Sequence, residues 1–193
     1  GSQIRGGESS CRLRVATRPV LNPGGALDVA VALNWEDFLR FGSELSVRED
    51  TLVLYDSRTG VAPEQIPLRQ VRTAGVRSVP IEQLAQQTAG TSKAKNTVVL
   101  GLLAGWFGLA EDSILAGLRK KFGRKGAEVL QGNERAFLAG RDYAAQHPFP
   151  GECRLAPPPA DGQAKLLTDG NDMCSAAAIF AGCEFFGGYP ITP

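Results

Sequence analysis

Apolar and polar residues follow one another along this chain with two different periods, and the places where each period holds set the expected elements. From Ser10 to Thr17 the period is two, with Cys11, Leu13 and Val15 on one side and Arg12 and Arg14 on the other. That pattern predicts a half-buried strand near a sheet edge. Pro19, Pro23, Gly24 and Gly25 follow as a loop. Asp28 to Leu33 (DVAVAL) is a continuous apolar run, the type found in strands covered on both faces. Asn34 then stands in an N-cap position ahead of Trp35, Phe38, Leu39 and Leu45 at helical spacing. Thr51 to Tyr55 (TLVLY) reads as a second buried strand, ending in Asp56-Ser57. Strand, helix and strand within roughly 30 residues make a βαβ unit, whose crossover is right-handed and whose sheet is parallel. A further short strand is expected between Arg69 and Val76, and Pro80 opens a helix carrying Ile81, Leu84 and Ala85.

From Asn96 to His147 the period is helical throughout. Asn96 is expected to cap a core helix, Thr97–Phe107, inside the longest apolar run, Val98 to Leu109. Gly101 and Gly105 interrupt that run, and it is far shorter than the roughly 20 residues a bilayer requires. Glu111 and Asp112 begin the next helix and Arg119, Lys120 and Lys121 end it, as the macrodipole favours, with Gly123 as the stop. A third helix is expected from about Gly126 to Ala145, with Val129, Leu130, Phe137 and Tyr143 on its apolar side. After His147-Pro148-Phe149-Pro150-Gly151 the composition changes. Residues 151–164 hold Pro157-Pro158-Pro159 and few large apolar groups, which makes a semi-rigid linker. Thr168-Asp169-Gly170-Asn171 then lead into a small-residue helix, Asp172 to Cys183, and an extended apolar piece, Phe185 to Ile191. The last stretch, about 25 residues, is too short for a domain. The expected class is α/β: a parallel-leaning sheet with flanking helices and an appended helical cluster (96–147) in a first domain, residues 1–150, then the linker and the stub of a second α/β domain, residues 165–193.

Composition narrows the function classes. Lys and Arg number 21 against 20 Asp and Glu, a net charge of +1, so neither a nucleic-acid nor a membrane-surface partner is expected. The four cysteines, Cys11, Cys153, Cys174 and Cys183, form no C-x-x-C pair, and the one histidine, His147, lies beside Pro148. No metal site is expected from them. They read as reduced thiols, which suits a cytoplasmic protein, with Cys174 and Cys183 packed inside. Gly1-Ser2 fits either a cleavage scar or natural sequence.

Several residues are candidates for chemistry, each with a plainer alternative. Asn34 stands at the carboxyl end of a buried parallel strand, where α/β sheets bind ligands, and its plainer reading is a helix cap. Arg5-Gly6-Gly7 would bring a guanidinium and backbone amides to a phosphate or carboxylate, or simply form a turn. The basic run 119–125 reads as a solvated helix end. At the end of the chain Thr192 lies between Pro190 and Pro193, where restricted backbone freedom would hold its hydroxyl in one direction.

Five segments in order carry a resemblance to a known family: Gln3–Glu8 (QIRGGE), Asp28–Asn34, Thr51–Ser57, Ala94-Lys95-Asn96 with the helical block after it, and Tyr189-Pro190-Ile191-Thr192-Pro193. The chain resembles the α subunit of the 2-oxoacid:ferredoxin oxidoreductases, of the 2-oxoglutarate type in which a γ domain is fused ahead of the α domain. The resemblance implies oxidative decarboxylation of 2-oxoglutarate to succinyl-CoA with reduction of ferredoxin. Pyruvate or another 2-oxoacid as substrate, or a non-catalytic acyl-CoA-binding or scaffolding module, are the alternatives. It implies thiamine diphosphate, Mg²⁺ and a [4Fe-4S] cluster held mainly by a partner β subunit, coenzyme A as co-substrate, and an αβ pair that dimerises. The stub becomes the start of a pyrimidine-type thiamine-enzyme domain, and Thr192 the contact to the 2-oxoacid. The γ domain is associated with coenzyme A, so Arg5, Gly6, Gly7 and Asn34 become candidates for that surface. The strand and glycine-rich turn with which the family's γ domain opens, and the glutamate expected at the aminopyrimidine, are not among these residues. This piece is therefore expected to be inactive alone.

Overall fold

The computed structural model describes residues 11–17, 20, 22, 24–35, 38, 45–60, 75–149, 154–157 and 168–187. They belong to two compact units, Ser9–Pro158 and a smaller one that contains 168–187.

In the larger unit β1 (Val29–Ala32), β2 (Leu52–Asp56) and β3 (Val76–Val79) form a parallel sheet in that order, with Val29 opposite Leu52 and Val53 opposite Val76. Every residue of β2 is buried. Leu52 and Leu54 face a cluster with Val79, Ile81, Val98 and Leu102, against which Val29 and Val31 also pack. Val53 and Tyr55 face the other way, onto Ala30, Ala32, Phe38 and Val76. The two expected buried strands are thus covered on both faces, because continuous apolar runs offer a side chain to each. The third strand starts at Val76, where it was expected to end; residues 69–74 lie outside those described.

The first expected strand is corrected. Cys11–Thr17 form no ladder and are exposed throughout. Arginine side chains hold the segment instead, Arg12 donating to Gly24 O at 3.2 Å and Arg14 to Asn22 Oδ1 at 3.0 Å. Alternation marks a strand only where a partner backbone is available, and here the polar positions make the contacts.

Four helices follow the sheet: α1 (Ile81–Ala89), α2 (Lys95–Phe107), α3 (Glu111–Phe122) and α4 (Ala127–Gln146). α2 is buried nearly all round, as a helix with apolar residues on every face requires. It begins one residue before Asn96, after a 3₁₀ turn capped by Thr91, so Asn96 lies inside the first turn and is not the cap. α3 carries the expected acidic start and basic end and stops at Gly123, its C-cap; Gly123 opens a 3₁₀ turn, and the positive φ falls on Gly126. α2 and α4 cross along a stripe of small residues. Thr97 Oγ1 donates to Asn133 Oδ1 at 2.7 Å, and a Cβ on Gly101 would stand 2.0 Å from Phe137 O. On α4 a Cβ on Gly140 would stand 2.1 Å from Val98 O, and Ala144 lies against Gly105. Contacts therefore advance along both helices together, which makes the pair parallel. The buried face of α4 is this stripe with Phe137; Val129, expected there, is 42% exposed.

In the smaller unit α5 (Gly170–Phe180) begins two residues earlier than expected, where the Asp169 carboxylate accepts from Asp172 N at 2.9 Å. None of its residues is buried, and Phe185 and Phe186 beyond it are exposed. Cys174 and Cys183, expected inside, are exposed free thiols, as is Cys11. Small apolar residues bury only against a second surface, and the described residues of this unit supply none. Among the described residues no helix is long and apolar enough to cross a membrane.

Candidate functional site

The carboxyl ends of all three strands open into one region of the surface. β1 is followed by Leu33, Asn34 and Trp35, β2 by Ser57, Arg58 and Thr59, and β3 by Pro80 and the first turn of α1. With Lys95, the first residue of α2, these residues line two adjoining clefts. One, of about 450 Å³, is bounded by Leu33, Asn34, Trp35, Asp56, Arg58, Thr59, Glu82 and Lys95. The other, of about 430 Å³, runs past Ser57 to Gln83, Gln86 and Gln87 on α1. Both lie in the size range of ligand pockets, and the carboxyl edge of a parallel sheet is where such ligands sit.

Asp56 organises the wall between the clefts. It is the last residue of β2 and is 3% exposed. Oδ1 accepts from Arg58 N at 3.1 Å, so it caps the 3₁₀ turn Ser57–Thr59, which Gly60 closes with a φ of 66°. Oδ2 accepts from Glu82 N at 2.9 Å and so serves an orphan amide of α1, whose N-cap residue, Pro80, offers no side-chain hydrogen bond. One buried carboxylate thereby fixes two elements.

Glu82 carries the second negative charge. It is ion-paired to Arg58, and Lys95 Nζ stands 3.5 Å from its Oε2. Trp35 packs edge-on to Phe38 at 5.3 Å and against Tyr55 at 5.6 Å. Its Nε1, and Oγ1 of Thr59 in the same lining, are buried without hydrogen-bond partners. The arrangement suits a ligand with an anionic part and hydrogen-bond acceptors.

Of the residues singled out in the sequence, Asn34 lies in this lining. Phe38 N donates to Asn34 O at 3.0 Å, so Asn34 is also the boundary of the helical turn that holds Trp35 and Phe38. Arg5, Gly6, Gly7 and Thr192 lie outside the described residues. His147 is structural: its ring stacks on Tyr143 at 4.0 Å and its carbonyl accepts from Trp106 Nε1 at 2.8 Å. Of the basic run, Arg119 pairs with Glu134 at 2.8 Å, while Lys121 and Lys125 lie over the Phe122 ring. Arg141 is held further toward its protonated form by hydrogen bonds to Asp142 and then Glu111, but it belongs to the helical cluster. Sequence reasoning missed Asp56, Arg58 and Glu82 as a set. The signal was an aspartate at the end of an apolar strand, where a carboxylate goes into the interior only to satisfy backbone amides.

The description "Pyruvate ferredoxin/flavodoxin oxidoreductase" belongs to the family model that matches residues 1–143. "2-oxoacid:ferredoxin oxidoreductase 1, subunit alpha" of Aeropyrum pernix is 23% identical over 239 aligned positions, covering 100% of this chain and 36% of that protein. "2-oxoglutarate oxidoreductase subunit KorA" of Mycobacterium tuberculosis is 27% identical, covering 97% of this chain and 32% of that one. The chain thus spans about a third of the length of these two relatives. A solved 2-oxoglutarate:ferredoxin oxidoreductase from Magnetococcus marinus, with 2-oxoglutarate, coenzyme A and succinyl-CoA bound, is similar with a TM-score of 0.74 at 30% identity. That likeness covers 91% of this chain and 30% of the solved one.

Proposed function

Since the chain belongs to the pyruvate ferredoxin/flavodoxin oxidoreductase family, we propose that it is part of the α subunit of an enzyme that converts 2-oxoglutarate and coenzyme A to succinyl-CoA and carbon dioxide, passing two electrons to ferredoxin. The observation that carries the reading is the likeness over 91% of the chain to a solved enzyme whose bound molecules are that acid, that thiol and that product. The KorA relative supports 2-oxoglutarate. Pyruvate is the competing substrate, because the family description names it.

In this reading residues 1–150 are the γ domain, 151–164 the linker and 165–193 the start of a pyrimidine-type α domain. A partner β subunit holds thiamine diphosphate, Mg²⁺ and a [4Fe-4S] cluster, two αβ pairs associate, and the enzyme works in the cytoplasm. Among the described residues no group of three or more His, Cys, Asp or Glu is placed to hold a metal ion. The carbanion chemistry of thiamine diphosphate is assigned to the partner, as the family resemblance implies. Thr192 contributes a hydroxyl to the 2-oxoacid. Asn34, with Arg5, Gly6 and Gly7, forms the coenzyme A side, and the cleft at the sheet's carboxyl edge supplies Arg58 and Lys95 for that ligand's phosphates. What these residues do is bind and orient the thiol that receives the acyl group.

The test is anaerobic reduction of a viologen dye by the full-length protein with its partner subunit. 2-Oxoglutarate and pyruvate are each offered with and without coenzyme A. Turnover with 2-oxoglutarate that requires coenzyme A is the expected result. No turnover with either acid, from protein shown to contain thiamine diphosphate and cluster, would remove the reading.

A further inference from the structure

Glu82 occupies the place in the larger cleft where an incoming anion would be expected to bind. One of its oxygens faces Arg58 and the other faces Lys95 Nζ at 3.5 Å, so a single carboxylate holds both cations of the lining. Its side chain is only 22% exposed and that of Lys95 28%, whereas Arg58 is 72% exposed. The pair Glu82–Lys95 is therefore shielded from solvent while Arg58 has room to swing. Asp56, the other carboxylate here, already gives both oxygens to backbone amides and is fixed in place. Glu82 is the acidic group that can exchange. Its backbone stays anchored through the Asp56 bond when its side chain turns away. The same lining holds the unmatched Trp35 Nε1 and Thr59 Oγ1.

We propose that Glu82 is an internal counter-anion, whose carboxylate holds Arg58 and Lys95 until a phosphate or diphosphate group of the ligand displaces it. This rests on the reading that the cleft serves the coenzyme A side. The class of anion follows from the competition. A carboxylate tethered to the same helix turn has a high effective concentration, and an isolated carboxylate of equal charge would not displace it. A diphosphate, with more charge and a fork of oxygens for the guanidinium, would. Glu82 thus sets specificity as well as occupancy: it closes the cleft to singly charged acids such as acetate.

The experiment measures binding of inorganic pyrophosphate and of coenzyme A to the full-length protein with its partner subunit, by calorimetry at low salt, for wild type and Glu82→Gln. Removing the charge while keeping the shape should tighten pyrophosphate by about 1.5- to fivefold, the range that exposed and half-exposed ion pairs command. Coenzyme A should tighten in parallel, and acetate, expected to leave the wild type unoccupied, should become detectable. Weaker or unchanged pyrophosphate binding in Glu82→Gln overturns the proposal. If that variant does not fold, Arg58→Gln and Lys95→Gln decide instead: each must weaken pyrophosphate, and binding indifferent to both overturns it. Pyrophosphate binding that depends on Glu82, with no binding of coenzyme A, would leave the counter-anion standing and sink the coenzyme A reading. Coenzyme A binding indifferent to Glu82 would do the reverse.

Discussion

Asp56 shows how much one side chain decides here. Its two oxygens accept from amides 24 residues apart in sequence, Arg58 N and Glu82 N, inside a site that is nearly closed to water. Asp56→Asn keeps the shape but turns an amide NH₂ toward one of those donors, so a buried N–H loses its acceptor. The expected cost is about 1–3 kcal/mol, read from the urea midpoint. Tyr143 makes a second residue-scale prediction. Desolvation raises its phenol above the ordinary value near 10. The unfolded chain therefore ionises first, and the stabilisation is complete below that ordinary value and is lost as pH rises through the folded one. Wild type should lose stability relative to Tyr143→Phe as pH rises above the ordinary phenol value, and parallel curves for the two proteins would exclude the effect. At this scale the sequence was a partial guide. Asn34 was legible because its position after an apolar run is a statement about backbone. Arg58, Glu82 and Lys95 were not, because their meeting depends on three connections closing at one sheet edge.

Among elements, the sheet and helices were legible wherever burial was two-sided or the period was long. DVAVAL and TLVLY became β1 and β2, and the helical block after Lys95 became α2, α3 and α4. The alternating segment Cys11–Thr17 misled, since period two describes a face and not a partner. Element packing gives a sharp prediction at the crossing of α2 and α4. Gly101→Ala and Gly140→Ala each place a methyl about 2 Å from a backbone carbonyl of the other helix, 2.0 and 2.1 Å respectively. Backbone cannot rotate aside as a side chain does, so each should cost at least the roughly 1–3 kcal/mol of ordinary overpacking. Gly117→Ala, inside α3 with no atom within 4 Å of the added Cβ, is the control. It should be neutral or stabilising by up to about 1 kcal/mol, since alanine favours helix over glycine. Equal thermal shifts for the three variants would contradict the close crossing.

At the scale of the whole molecule, the dye-reduction assay tests the proposed turnover with the full-length protein and its partner. The proposed boundary between domains rests on a change of composition around Pro157-Pro158-Pro159. Burial in the second unit was not, because small residues such as those of α5 state no preference until a neighbour is present. One consequence of the parallel α2–α4 pair concerns the order of events when the chain folds. Thr97 and Asn133 are 36 residues apart. Helices joined by a tight turn zip together from that turn, but these two cannot: α3 must first carry the chain back along their length. Closing so long a loop costs about 2 kcal/mol more entropy than a short hairpin connection, before any contact of the pair forms. The glycine stripe, which allows backbones to touch, returns that free energy only at full docking. The helical cluster should therefore lock as a cooperative step, at full docking of the pair.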